Sequence, residues 1–275
     1  MNPRVEGMTR VIAIANQKGG VGKTTTACNL AACLATAKRQ TLLIDLDAQS
    51  NATLTMGVDP RDIRERNVLH VLKNPDSLPR VMIEIDECLD LVPAHIDLSS
   101  EEYSLINTMG AETQIKKAVK QVMEDYDYVL FDCPPNLGIC TRNAFQCATE
   151  IIIPFDPSPY SFDGLEKIRD YIARAEQDRD IQITTYGVLC RAQLQRNVDK
   201  DALERLQQLF GKRTLPPIRQ NIKVVEASAE RTVVVWNEPS AIGAQDYIKF
   251  AKAILHMESS IESDSFSLRV VGDQQ

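Results

Sequence analysis

The segment Lys18-Gly19-Gly20-Val21-Gly22-Lys23-Thr24-Thr25 constrains this chain more than any other. Three glycines let several backbone N–H groups converge on one anion, and a helix that starts there adds the positive end of its dipole. The flanks meet that requirement. The apolar run Val11 to Ala15 reads as a buried strand, and Thr24 to Leu34, rich in alanine and leucine, reads as the helix that leaves the loop. A strand, a glycine-rich turn and a helix in this order form a phosphate-binding loop. Lys23 is placed to lie along the β- and γ-phosphates of a nucleotide, and the Thr24 hydroxyl to ligate Mg²⁺, a hard ion that prefers oxygen.

Gln17 stands where the usual pattern has a glycine, and Lys18 adds a second cation beside the glycines. This variant of the loop resembles the family that includes ParA, Soj and MinD. The resemblance continues downstream. Thr41 to Asp47 reads as a second buried strand ending in carboxylates, followed by Ala48-Gln49-Ser50-Asn51, and is similar to the family's first switch segment. Tyr128 to Asp132, then Cys133-Pro134-Pro135, is similar to its metal-holding strand and second switch. Leu89 to Leu98 and Pro154 to Ser161 also look like family segments, although no chemistry follows from them directly. Asn221 to Ala227 resembles the stretch that passes the adenine base, with Arg219 and Gln220 where a proline and an arginine are common.

The resemblance implies ATP and Mg²⁺ as cofactors and an ATP hydrolase stimulated by a partner. Lys18, Gly19, Gly20, Val21, Gly22, Lys23, Thr24, Thr25 and Asn221 would bind the nucleotide. Thr24, Asp47 and Asp132 would serve the metal, with Asp45 structural. Lys18, Lys23 and Asp47 would carry the chemistry. Lys18 would cross a homodimer interface to the other subunit's nucleotide, where a cation can neutralise charge developing on the transferred phosphoryl group. Asp47 would orient the attacking water.

Apolar strands alternate with helical stretches along all 275 residues, which predicts one doubly wound α/β domain: a mostly parallel sheet with helices on both faces. Further strands are expected near 151–155 and 184–189, and helices near 113–123, 164–175, 200–210 and 243–256. The organisation reads as a short extension, 1–8, an ATPase domain, 9–257, and a polar, flexible tail, 258–275. Seven cysteines without a Cys-x-x-Cys pair suggest neither a disulfide framework nor a zinc site. Neither a signal peptide nor a membrane-spanning run is evident, so a cytoplasmic, nucleoid-associated protein is expected.

The net charge of −7 argues at first against nucleic acid, but the charge is uneven. From Arg191 to Lys223, Arg191, Arg196, Lys200, Arg205, Lys212, Arg213, Arg219 and Lys223 face only Asp199, Asp201 and Glu204. Within the resemblance, Arg196, Lys200 and Lys223 would hold double-stranded DNA without reading its sequence, and two subunits presenting the patch together would bind by avidity. The implied partner is a centromere-binding or cargo-adaptor protein of the ParB kind, with plasmid, chromosome or another cargo positioned. A MinD-like membrane ATPase is the alternative. It would need a basic amphipathic C-terminal helix, whereas Met257 to Asp273 carries four acids and only Arg269.

Overall fold

The computed structural model describes residues 9–270. Seven strands form one sheet: β1 (Arg10–Ile14), β2 (Thr41–Asp45), β3 (Ile83–Asp86), β4 (Leu89–Val92), β5 (Tyr128–Asp132), β6 (Glu150–Phe155) and β7 (Thr184–Leu189). Their order is β3-β4-β2-β5-β1-β6-β7, parallel throughout except that β3 runs antiparallel to β4. The helices in chain order are α1 (Lys23–Thr36), α2 (Asn51–Thr55), α3 (Val68–Lys73), α4 (Leu78–Val81), α5 (Asp97–Ile106) and α6 (Gln114–Val122). The second half adds α7 (Ile139–Cys147), α8 (Leu165–Arg179), α9 (Asn197–Phe210), α10 (Ile222–Ala229), α11 (Val234–Asn237) and α12 (Ile242–Val270).

Successive residues of a strand point to opposite faces of the sheet, so a central strand that is apolar throughout must supply two cores. Val11 and Ala13 of β1 join Val129 and Phe131 of β5 in the core beneath α3, α6, α7 and α8. Ile12 and Ile14 join Leu130, Ile152 and Val188 in the core beneath α1, α11 and α12. The doubly wound sheet expected from the alternation of strands and helices is the one observed.

Boundaries shift where side chains capture the backbone. The strand expected over Thr41 to Asp47 ends at Asp45, because the Asp47 N–H turns back to donate to Asp45 Oδ1 (3.0 Å) and Ser50 N–H closes a turn on the Asp47 carbonyl (2.8 Å). α9 begins three residues before Lys200, and α12 continues through 258–270, the stretch that the sequence suggests is a separate polar tail.

The two margins of the sheet are treated differently. Beyond β7 the backbone of 214–220 lies alongside, with Leu215 N–H on the Gly187 carbonyl and Ile218 N–H on the Leu189 carbonyl, both 2.8 Å. At the other margin β3 is four residues long and carries Glu84 and Asp86.

At the amino ends of the strands, Arg10 is buried and fully engaged. Its guanidinium donates to both oxygens of Glu150 (2.7 and 2.6 Å), to the Tyr128 hydroxyl (3.3 Å) and to the Ile254 carbonyl of α12 (2.6 Å). Burial opposes that charge, yet Glu150 more than compensates and raises the Arg10 pKa.

Candidate functional site

The strand order places the phosphate loop. β1 is central, with the next strand of the chain to one side and β6 and β7 to the other, so the crevice at its carboxyl end is a topological switch point, where open α/β sheets bind ligands. Gly20 (φ +74°) and Gly22 (φ +96°) both adopt left-handed backbone that a side chain would strain. Gly22 is the residue on which α1 starts, and Cys190 packs behind it, 3.4 Å from where a Cβ would lie. No side chain caps this helix start, and its first turn holds no acid, so its N–H groups face the crevice with their partial positive charge intact.

A cleft of about 540 Å³ opens there, a size suited to a nucleotide. One wall is Gly19, Gly20, Gly22, Lys23, Thr24 and Thr25, and Asp47 and Pro135 bring the loops after β2 and β5 to its rim. The far wall is Arg219, Gln220, Asn221, Val224 and Tyr247. Asn221 spends its side-chain oxygen on the Lys223 N–H (3.0 Å), capping α10, which leaves its amide N–H groups for the cleft. Val21 is fully buried and lies outside the lining, so only its backbone can serve a phosphate.

Lys23 is buried at the foot of α1, with its ammonium donating to the Lys18 carbonyl (3.1 Å). Burial lowers its pKa, against the opposing pull of Asp132, Cys133 and Asp47. Asp132 and Asp45 end neighbouring strands in register. Asp45 is satisfied: Oδ2 accepts from Thr53 N–H (2.9 Å) and the Thr53 hydroxyl (2.7 Å), and Oδ1 from Asp47 N–H. It fastens the loop after β2 and the start of α2 to the sheet, and burial still pushes its carboxyl up to about 6.

Asp132 is the opposite case. It is fully buried, and neither of its oxygens completes a hydrogen bond among the described residues. Burial, and behind it the charge of Asp45, push its carboxyl well above the carboxylate range, with the adjacent Thr24 and Lys23 working the other way. A buried carboxylate without donors is a ready seat for a cation or for water held by one. The donor set of Asp132, Thr24 and Asp47 is all oxygen, which fits Mg²⁺ completed by phosphate and water rather than a metal caged by protein. Among the described residues no group of three His, Cys, Asp or Glu side chains could hold a metal by itself.

Lys18 is near this cleft but not part of its lining. Its ammonium reaches instead to the loop after β6, donating to both Asp156 oxygens (2.9 and 3.1 Å) and to the Ser158 hydroxyl. The basic window is likewise more engaged than its residue list suggests. Lys223 pairs with Glu226 (3.0 Å) and Glu238 (3.2 Å), Arg219 with Asp246 (2.7 Å) and Arg196 with the buried Asp199 (3.5 Å). Arg196 lines a second groove of about 330 Å³ with Asp156, Ser158, Arg191 and Gln220, whereas Lys200, in the first turn of α9, lies outside it. Arg191 and Gln220 line both cavities. Arg191 holds left-handed backbone (φ +59°) and donates to the Gly20 carbonyl (3.1 Å). Its signals in the sequence are its place at the head of the basic window and just past a parallel strand.

These features define a phosphate-loop ATPase fold with a metal-competent carboxylate, and comparison with known proteins agrees. A family model described as an AAA domain matches residues 9–185. The sporulation initiation inhibitor protein Soj of Bacillus subtilis is 32% identical over 249 residues, covering 90% of this chain and 98% of that protein. The chromosome partitioning protein ParA of Caulobacter vibrioides is 32% identical over 254 residues, covering 90% and 95%. Among solved structures, cobyrinic acid a,c-diamide synthase of Mycobacterium smegmatis with bound ADP and magnesium superposes with a TM-score of 0.78 at 30% identity, covering 92% of this chain and 96% of that one. The chain belongs to the ParA/Soj family of partition ATPases.

Proposed function

We propose that this chain binds Mg-ATP in the cleft above Asp132, dimerises in that state, and hydrolyses ATP slowly until an adaptor protein accelerates the step. Bound, the metal would neutralise charge on the β- and γ-phosphates. The chain itself would supply the rest. The N–H groups of Gly19 to Thr25 and the ammonium of Lys23 hold and orient the phosphates, the Thr24 hydroxyl and Asp132 hold the ion, and Asp47 at the rim orients water. Asn221 on the far wall faces the base. The observation that carries the reading is Asp132: a fully buried carboxylate whose oxygens complete no hydrogen bond among the described residues, beside Thr24 and Lys23 at the start of α1.

The ATP-bound dimer would join two copies of the Arg196, Lys200 and Lys223 surface and hold double-stranded DNA through phosphates alone, on the nucleoid in the cytoplasm. Support comes from the family and from Arg196 lining an open groove beside the nucleotide cleft. The adaptor would be a centromere-binding or cargo-binding protein of the ParB kind. No described helix is long and apolar enough to cross a membrane.

One experiment tests dimerisation and DNA binding together: sedimentation velocity with Mg²⁺ and a non-hydrolysable ATP analogue, with and without a DNA fragment, across a salt series. A nucleotide-dependent dimer that binds DNA with a steep salt slope is expected, and charge reversal at Arg196 and Lys223 should flatten that slope while leaving the dimer intact. A species that stays single-subunit with the analogue bound contradicts the reading.

A further inference from the structure

The side chain of Lys18 is occupied within its own subunit. The backbone that carries it is fixed from both sides: its N–H donates to Asn16 Oδ1 (3.0 Å), Asn16 Nδ2 donates to the Pro154 carbonyl (2.7 Å), and its carbonyl takes the Lys23 ammonium (3.1 Å). From that seat the side chain leans away from the cleft and onto the β6–α8 loop. The receiving end is built as firmly. Ser158 Oγ donates to Asp156 Oδ1 (2.9 Å), and the Asp156 N–H donates to Ser161 Oγ (3.0 Å). Lys18 thus meets a carboxylate already positioned by two serines, on the wall of the groove shared with Arg191, Arg196 and Gln220.

All the side-chain contacts of the Lys18 ammonium lie within its own subunit, so reaching a nucleotide in another copy of the chain exchanges at least one of them. We propose that Asp156 and Ser158 are positioning residues that hold Lys18 in cis, and that opening this contact sets the protein concentration at which the ATP-bound chain dimerises. The inference rests on the reading above, in which Lys18 acts across a dimer. The pair is suited to a reversible role. Lys18 is about one-third exposed and Asp156 about one-fifth (32% and 19% of their side chains), so water and salt can compete for them, unlike the Arg10–Glu150 pair at the other end of the sheet. No covalent step is involved; one set of hydrogen bonds is exchanged for another.

The test separates the contact from its consequence. Acylation of Lys18 by an amine-reactive ester, followed by peptide mass spectrometry on the nucleotide-free protein, reads the contact directly. In D156N and S158A the Lys18 labelling rate is expected to rise several-fold, more in D156N, while other lysines stay unchanged and D156E restores protection. Dimerisation is then titrated by sedimentation velocity with Mg²⁺ and the ATP analogue. The midpoint is expected to move to roughly 5- to 10-fold lower protein concentration in D156N, a size typical of one released coupling contact, with monomer nucleotide affinity, read with a fluorescent ATP, unchanged. Unchanged Lys18 labelling, or faster labelling with an unmoved or raised midpoint, overturns the proposal. Wild-type dimerisation in K18A would instead overturn the underlying assignment of Lys18 to the partner's nucleotide, and that result is distinguishable because it does not depend on Asp156.

Discussion

The two ends of the central strands bury charge in opposite ways. At the amino end, Arg10 meets Glu150, Tyr128 and the Ile254 carbonyl, and every charge has a partner. At the carboxyl end, Asp45 and Asp132 lie in register on adjacent strands, and only Asp45 is satisfied. The same sheet therefore carries one ionic cluster that is complete by itself and one that is complete only with something added. A finished cluster ties α12 to the sheet and belongs to architecture. An unfinished one stores the cost of desolvation and releases it when a cation arrives.

The largest effect should come from breaking the finished end. Arg10→Ala leaves Glu150 buried and uncompensated, and is expected to destabilise the fold by about 3–5 kcal/mol in chemical denaturation. A loss below about 1 kcal/mol would show that the two ends do not differ as described. The unfinished end should respond in function rather than in stability. Asp132→Asn is expected to lower Mg-dependent ATP turnover on the order of 100-fold, while leaving the stability of the nucleotide-free protein within about 1 kcal/mol of the wild type, because burial already disfavours the charge of this carboxyl. Destabilisation of the nucleotide-free form would mean that the carboxylate is structural after all.

The smallest effect is a pH trend that sharpens the same contrast. The Asp45 carboxyl is raised from 3.8 to about 6 in the folded chain, so the native state holds its proton where the unfolded state has lost it. Stability from this group is therefore full below about pH 4 and declines as pH rises through 6. In metal-free buffer the Tm of the wild type should fall across that window more steeply than that of Asp47→Asn, which removes the charge that adds to burial in raising this carboxyl. Parallel curves would separate the two carboxylates.

What the sequence disclosed was local. The loop from Lys18 to Thr25, its strand and its helix are neighbours in the chain, and their spacing reports their geometry. Asp47 and Asp132 were legible because each follows an apolar run that can only be a central strand. The short strands β3 and β4 were not assigned, since four residues give little periodicity and β3 is half exposed. α7 was missed for a related reason: it starts at Gly138 without a side-chain cap and is built from Cys, Thr and Asn, which are weak helix formers.

Arg196 and Lys223 each have one partner three residues on, but the other partners of the cations are hidden because they are tertiary. Asp156 lies 138 residues from Lys18, in a segment to which no chemistry had been attached. Glu238, which pairs with Lys223, falls outside the basic window altogether. A count of charge along the chain measures supply; it says nothing of how much the fold has already committed.

The margins of the sheet carry a consequence for how copies of this chain can meet. One border strand is sheathed by the backbone of 214–220, and the other is brief and bears two carboxylates. Lateral zipping of sheet onto sheet, for which an open edge strand is a template, is discouraged at both borders. Any meeting of copies is left to helix faces and loops, where contacts are made by side chains and can be revised one residue at a time.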